Sequence, residues 1–339
     1  MRAFIESTIH EIWRTRGPIA WLLLPASALF LAVSRKRRQN AKPQRLPVPV
    51  IVIGNIYVGG TGKTPVTIAL AKELVRLGMH PGIISRGYGR ASDVPQEVTP
   101  SSEALLAGDE PLLIAKATGL PVSVGRKRFE AGKLLLANHP EIDIIISDDG
   151  LQHYALSRDI EVAVVGARGL GNGWVLPAGP LRETPARLDE VDAIVLNATT
   201  QTFGSPVPRY AATGRLGSAR PIAGGAPLTL EEIAASGKKV LAAAGIAAPE
   251  RFFNMLLARG LKPETMPLPD HFDFKANPFE KSNAQIILIT GKDAVKCAQN
   301  PTLGTDPRIY AVDHEIELDR FFIDFIAQKL SDLKAKPNA

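Results

Sequence analysis

Lys63 and Thr64 close the stretch Val58-Gly-Gly-Thr-Gly-Lys-Thr-Pro65, and these residue types at this spacing can hold a nucleoside triphosphate. The loop follows the apolar run Val48–Ile53 and opens a helical pattern with Val66, Ala69, Leu70, Leu74 and Leu77 on one face. Between a strand and a helix, the amides of Gly59, Gly60, Thr61 and Gly62 can cradle phosphates, and the helix N-terminus adds a positive field. In this reading Lys63 reaches the β- and γ-phosphates, the Thr64 hydroxyl helps hold Mg²⁺, and Pro65 ends the motif. Tyr57 stands where the longer pattern G-x-x-x-x-G-K-[ST] has its first glycine, while the shorter G-G-x-G-K-[ST] is intact. ATP or GTP is the expected ligand.

Phosphoryl chemistry also needs carboxylates. The apolar run Ile142–Ser147 ends in Asp148-Asp149-Gly-Leu-Gln-His153, and the end of a strand is where such enzymes place the acid that holds Mg²⁺. Adjacent acids on extended backbone point in different directions, so one can serve the metal and the other the acceptor; a plain turn is the alternative. Asp109, in Gly108-Asp-Glu-Pro111, is either a helix cap or an acid at the mouth of the site. Gly125-Arg-Lys-Arg-Phe-Glu130 offers cations for phosphate or a solvated helix start. Leu176-Pro-Ala-Gly-Pro-Leu-Arg-Glu183 is a stiff loop delivering Arg182 and Glu183. In Pro269-Asp-His-Phe272, His271 stands beside a carboxylate, and a lone His is more often structural. Thr290-Gly-Lys-Asp293 lacks the spacing of the guanine-reading N-K-x-D loop, so guanine specificity is not supported.

The elements that must position these groups read as alternating strands and helices, which predicts an α/β fold: a P-loop NTPase-like parallel sheet core. Strands are expected at Val48–Ile53, Pro81–Ser85, Ile142–Ser147, Ile160–Val165 and Ala193–Leu196. Ligands of such sheets gather at the carboxyl ends of the strands. Around Arg209–Pro227 the apolar periodicity fades, as in a connection between domains. Beyond it, Lys239–Ala244, Gln285–Thr290 and Ile309–Val312 read as strands, with helices at Pro249–Arg259 and Leu318–Leu333. The expected division is an N-terminal helix with its basic flank over 1–40, a P-loop core over 41–208, and a smaller α/β domain over 209–339.

Of 339 residues, 45% are apolar and 22% charged, enough for a substantial core. The single Cys297 excludes an internal disulfide and a cysteine metal site. The net charge of +6 is local: residues 1–46 carry nine Lys or Arg against two Glu, and the remainder has 31 basic against 32 acidic residues. A positive terminal segment, not a basic groove, argues against nucleic acid. Gly17–Ser34 has no charged residue, and its roughly 17 apolar positions span about 25 Å as a helix, short of a hydrocarbon core of about 30 Å. Pro25 predicts a kink. The favoured reading is a helix lying in a membrane face with its basic residues on anionic lipids; a buried core helix and a short spanning helix remain open.

In order along the chain, IGNIYVGGTGKTP, SRGYGR, GDEPLLIA, GRKRFEAG, DDGLQH, LPAGPLRE, PDHF and TGKDAVK together resemble the tetraacyldisaccharide 4′-kinase family, the lipid A 4′-kinases of Gram-negative bacteria. The resemblance implies transfer of the ATP γ-phosphate to the 4′-hydroxyl of an acylated glucosamine disaccharide 1-phosphate. It implies a peripheral enzyme on the cytoplasmic face of the inner membrane, expected as a monomer. It also implies Lys63 and Thr64 for phosphates and Mg²⁺, Asp109 with His271 as the base system, and Asp148, Asp149 and Glu183 around Mg²⁺ and the reacting groups. One departure is Gly291, where the family pattern leads us to expect Glu. Two other readings compete. A partitioning ATPase shares the loop but often has Lys where Val58 stands, and a metal-insertion GTPase would carry N-K-x-D and a Cys/His cluster.

Overall fold

The computed structural model describes residues 9, 11–199, 201, 203–246, 248–270 and 272–335. Helices α1 (Pro18–Leu22) and α2 (Leu24–Gln39) come first, broken at Leu23. Pro25 accounts for the break: proline has no N–H to continue a helix but fits a first turn, so a new helix starts with it. Among the described residues no helix is long and apolar enough to cross a membrane.

The core follows as β1 (Val50–Gly54), α3 (Lys63–Arg76), β2 (Pro81–Ser85), β3 (Gln96–Val98), α4 (Ala104–Ala107), α5 (Asp109–Thr118), β4 (Val122–Val124), α6 (Arg128–Asn138), β5 (Ile144–Asp148), β6 (Ile160–Val165) and β7 (Ala193–Asn197). Next come β8 (Arg209–Pro221), α7 (Leu230–Ala235), β9 (Val240–Ala244), α8 (Pro249–Ala258), β10 (Glu264–Pro267), β11 (Ile286–Thr290), α9 (Gly291–Cys297), β12 (Ile309–Leu318) and α10 (Arg320–Ala335). All the strands lie in one sheet, ordered β10-β9-β11-β12-β8-β7-β6-β1-β5-β2-β4-β3. Among the described residues, only the β3–β4 and β8–β12 strand pairs are antiparallel.

Central strands are apolar on both faces because both faces are covered. Ile51 and Ile53 pack with Leu70, Leu74 and Ile146 in one layer, while Val50 and Val52 pack with Ala131, Leu135 and Ile145 in the other. Burying each such side chain contributes about 1.5–3 kcal/mol. Because β1 lies between β5 and β6, the loop leaving its carboxyl end sits where the chain winds away to both sides.

The stretch expected as a connection, Arg209–Pro227, is for most of its length the strand β8. It pairs parallel with β7 at its start and antiparallel with β12 over Ala212–Pro221. Its own apolar signal is thin, since only Ala212, Leu216 and Ala219 are buried; the partner strands supply its ladder. The two halves are therefore joined edge to edge in one sheet. Helix α10 then returns to the first half, burying Phe322, Ile326 and Leu330 in the layer that holds Leu70 and Leu74.

Candidate active site

Gly62 is the N-cap of α3 at φ +86°, a left-handed conformation that favours glycine, and no side chain caps the helix. The first amides of α3 are thus left for a ligand, next to a buried Lys63 and Thr64. From inside the loop, the Asn55 side-chain amide donates to Tyr57 O at 2.7 Å and Thr61 Oγ1 at 3.0 Å. Tyr57, the residue in place of a glycine, is buried and bridges to Leu181, with Val58 N donating to Pro180 O at 2.9 Å and Arg182 N to Ile56 O at 2.6 Å. The phosphate loop and the Pro/Gly-shaped loop are one backbone assembly. Its outer side is covered by Arg168, whose guanidinium lies 4.9 Å from the Tyr57 ring centroid.

Asp148 ends β5 in register with Ile53 of β1, directly before the loop. It is fully buried; Oδ1 accepts from Thr67 Oγ1 of α3 at 2.9 Å, and Oδ2 has no hydrogen-bond partner among the described residues. Burial, reinforced by Glu110 and Asp149, pushes its carboxyl up to about 7. Asp149 turns away at φ +48° and meets Lys63 Nζ at 3.5 Å and Arg182 Nη1 at 3.3 Å through one oxygen, Oδ1. Burial alone would raise the Asp149 carboxyl, but Lys63, Arg182 and Arg128 together hold it below the usual carboxylate range. The two neighbouring acids therefore have opposite electrostatic characters.

Arg128 opens α6, is buried, and donates to Gly125 O at 3.1 Å and Asp149 O at 3.4 Å. Burial lowers its guanidinium to about 10 against the pull of both aspartates. Beside it, His153 is pushed down to about 4 by burial and by Arg128, Arg158 and Arg86, so it is neutral at pH 7. Glu183, which the family resemblance places around Mg²⁺ and the reacting groups, is held by neighbouring side chains. It is buried, Oε1 accepts from Gln152 Nε2 at 2.8 Å, and Oε2 accepts from the Tyr154 hydroxyl. It reaches Asp149 only through Gln152, whose Oε1 accepts from Arg182 at 3.2 Å.

Asp109 is the first residue of α5, and its side chain does not cap that helix. Its Oδ2 instead pairs with Lys296 Nζ of α9 at 2.8 Å, both side chains being largely buried. Lys292, one turn earlier, lies 3.8 Å from both Glu110 and Asp270. The pairs with Asp109 and Glu110 join opposite halves of the chain, while Asp270 lies in the same half as Lys292. Thr290 holds α9 in place: its Oγ1 accepts from Asp293 N at 3.2 Å and donates to Asp293 Oδ2 at 2.7 Å. Gly291 opens that helix, and a Cβ there would sit 3.4 Å from Leu113 of α5. His271 lies outside the described residues.

Lys63, Asp149, Arg182, Glu110, Lys292 and Asp270 face a cleft of about 1250 Å³ between the phosphate loop and the second half. Its walls are polar near the loop and apolar along Phe252, Met255 and Ile323. Sequence reasoning did not find Lys296, Lys292, Gln152 and Arg128 as partners of the acids, because each contact joins segments far apart in the chain.

Among the described residues no three His, Cys, Asp or Glu form a metal site. Mg²⁺ beside phosphates needs fewer protein ligands, since phosphate oxygens and water fill the rest of its shell. The unpartnered Asp148 Oδ2, with Thr64 at the loop end of α3, fits that mode.

The family described as tetraacyldisaccharide-1-P 4′-kinase (LpxK) matches residues 19–331. A tetraacyldisaccharide 4′-kinase of Herminiimonas arsenicoxydans is 50% identical, with 97% of each chain covered. One of Janthinobacterium sp. (strain Marseille) is 48% identical at the same coverage. The crystal structure of LpxK from Aquifex aeolicus in complex with ATP is similar at a TM-score of 0.77 and 29% identity, covering 92% of this chain and 99% of that one.

Proposed function

The chain belongs to the tetraacyldisaccharide 4′-kinase family, and from that premise we propose how its residues divide the reaction. The protein is an ATP-dependent kinase of lipid A biosynthesis, phosphorylating the 4′-hydroxyl of tetraacyldisaccharide 1-phosphate. The observation that carries the division of roles is Asp149 Oδ1 held between Lys63 and Arg182 at the mouth of the phosphate loop.

In this reading the amides from Gly59 to Gly62 and the Lys63 ammonium bind the β- and γ-phosphates. Thr64 and Asp148 would hold Mg²⁺, with Asp149 beside them; when bound, the ion neutralises charge that builds on the phosphate oxygens. Arg182 and Lys63 keep Asp149 ionised and aimed into the cleft. Glu183 serves as a positioning group that fixes Gln152 and, through it, Arg182. Asp109, held by Lys296, would orient His271 so that the imidazole takes the proton of the 4′-hydroxyl. That oxygen bonds the γ-phosphorus as the bond to ADP breaks. Phosphoryl transfer of this type rests on positioning and charge, and the cleft supplies both.

The acceptor is acylated, so it resides in a bilayer. Helices α1 and α2 leave Ile19, Trp21, Leu22, Leu29 and Val33 exposed, and α2 ends in Lys36, Arg37 and Arg38. We assign this apolar face with its basic end to the cytoplasmic surface of the inner membrane, where the cations meet anionic headgroups. We take the protein to act as a monomer.

The test is ATP-dependent phosphorylation of the tetraacyl disaccharide 1-phosphate in detergent micelles. Release of phosphate from ATP with no phosphorylated lipid, in a preparation that turns over ATP, would remove the assignment.

A further inference from the structure

A two-bond chain runs from the second half of the protein into the phosphate loop. The Thr61 carbonyl, one residue before Gly62, accepts from Asn197 Nδ2 at 3.0 Å. Asn197 Oδ1 accepts in turn from Arg251 Nη2 at 3.1 Å. Asn197 is the last residue of β7 and is fully buried; Arg251 belongs to α8 in the second half. The contact is tight on the loop side, where a Cβ on Gly62 would lie 1.9 Å from Asn197 Nδ2. It is also built on the far side: a Cβ on Gly214 would meet His314 Nε2 at 2.8 Å and Arg251 Nη2 at 3.5 Å. Glycine in β8 thus makes room for the His314 imidazole that lies beside the guanidinium.

Among the described residues, no carboxylate pairs with the Arg251 guanidinium, whose pKa burial lowers. His314 beside it is a neutral imidazole, pushed down to about 4 by burial and then by Arg251 itself. A partly desolvated cation favours an anion wherever one can reach it, and Arg251 lines the same cleft as Lys63.

We propose that Arg251 is a positioning residue for nucleotide binding. Through Asn197 it fixes the Thr61–Gly62 peptide of the phosphate loop, and it brings the second half's positive charge towards the phosphates. The inference rests on the loop being the ATP site. It adds a contact by which the second half senses whether the loop is set to receive ATP.

The experiment uses the full-length protein in detergent, with ATP titrated calorimetrically and the kinase rate followed against both substrates. Arg251→Gln keeps a donor for Asn197 but loses the charge, and Arg251→Lys keeps the charge with altered geometry. Losing one charge-assisted contact predicts about tenfold weaker ATP binding and a matching rise in KM for ATP in Arg251→Gln. Arg251→Lys should recover part of that loss, to about threefold. KM for the lipid acceptor and the melting temperature of the nucleotide-free protein should stay at wild-type values. Wild-type protein that fails to bind ATP would overturn the reading of the loop. Wild-type protein that binds ATP no better than Arg251→Gln would overturn the role of Arg251. An equal loss of ATP and acceptor affinity in Arg251→Gln would do the same, because it would mark general damage.

Discussion

Asp149 holds Lys63 at 3.5 Å and Arg182 at 3.3 Å on the same carboxylate oxygen, so the lysine proposed to bind phosphate and an arginine from a distant loop share one anchor. A triphosphate that draws Lys63 onto its own oxygens loosens one side of this arrangement and leaves Arg182 holding Asp149. Lys63→Ala and Asp149→Ala should each lower turnover at least about a hundredfold, as loss of a positioned charge at a reacting centre does. Turnover on the lipid acceptor at saturating ATP is the measurement, and a wild-type rate in either variant removes that residue from the site.

Two glycines of the loop should respond differently to one methyl group. Gly62→Ala places a Cβ 1.9 Å from Asn197 Nδ2 at φ +86° and should destabilise the nucleotide-free protein by roughly 1–3 kcal/mol. A Cβ on Gly60 meets nothing within 4 Å, so Gly60→Ala should melt like wild type. Equal melting temperatures for the two variants would contradict the geometry.

The Asp109–Lys296 pair, at 2.8 Å, joins α5 to α9. Removing one partner strands the other charge in a largely buried place. Lys296→Ala should cost roughly 2–4 kcal/mol and lower kcat more than KM for ATP. Lys296→Gln, which keeps a donor, should recover most of the stability and less of the rate. Denaturant unfolding with steady-state kinetics separates the two effects.

His314 gives stability a pH dependence. Its folded-state pKa is depressed to about 4 from the ordinary 6.5, so its contribution is complete above pH 6.5 and is lost as pH falls towards 4. By pH 4.5 the imidazole should have cost the fold on the order of 2 kcal/mol relative to pH 7. His314→Gln should lose less stability over that interval. Parallel pH slopes for the two proteins would show that His314 titrates normally.

Leu22 is 81% and Leu29 68% exposed, and both belong to the face assigned to the membrane. The double variant Leu22→Glu/Leu29→Glu should reduce co-sedimentation with anionic vesicles at least about fivefold, and salt should weaken what remains. ATP binding should be untouched. Undiminished sedimentation would mean that another surface carries the contact.

The sequence made the sheet core and the phosphate loop legible because both are local. Val50–Gly54, the glycines and α3 are contiguous, and buried parallel strands announce themselves as runs such as Ile144-Ile-Ile. Asp148 and Asp149 were legible for the same reason, ending such a run. The strand β8 was not, since its pairing comes from β12 about a hundred residues later and its composition is that of a loop. The partners of Glu183 were not legible either, because an acid beside Arg182 in a stiff loop gives no hint that Gln152 and Tyr154 bond to it. Asn197 and Arg251 had no signal at all: a buried amide at the end of a strand and an arginine in an amphipathic helix are ordinary until the fold brings them to Thr61.

Helix α2 is pinned to the loop that carries Arg182. Ser27 Oγ donates to Val175 O at 3.0 Å and accepts from Ala178 N at 3.0 Å, and Trp13 Nε1 donates to Pro177 O at 2.9 Å. Four residues past Ala178, the same backbone pairs with Ile56 at the root of the phosphate loop. The protein therefore has a built-in plumb line. Whatever tilt the terminal helices adopt on a surface passes through a few stiff residues to the phosphates, without a flexible tether to absorb it. In the proposed seating on a membrane, the height of the reacting centre above that surface is then set by the fold, and an acceptor headgroup has to meet it there.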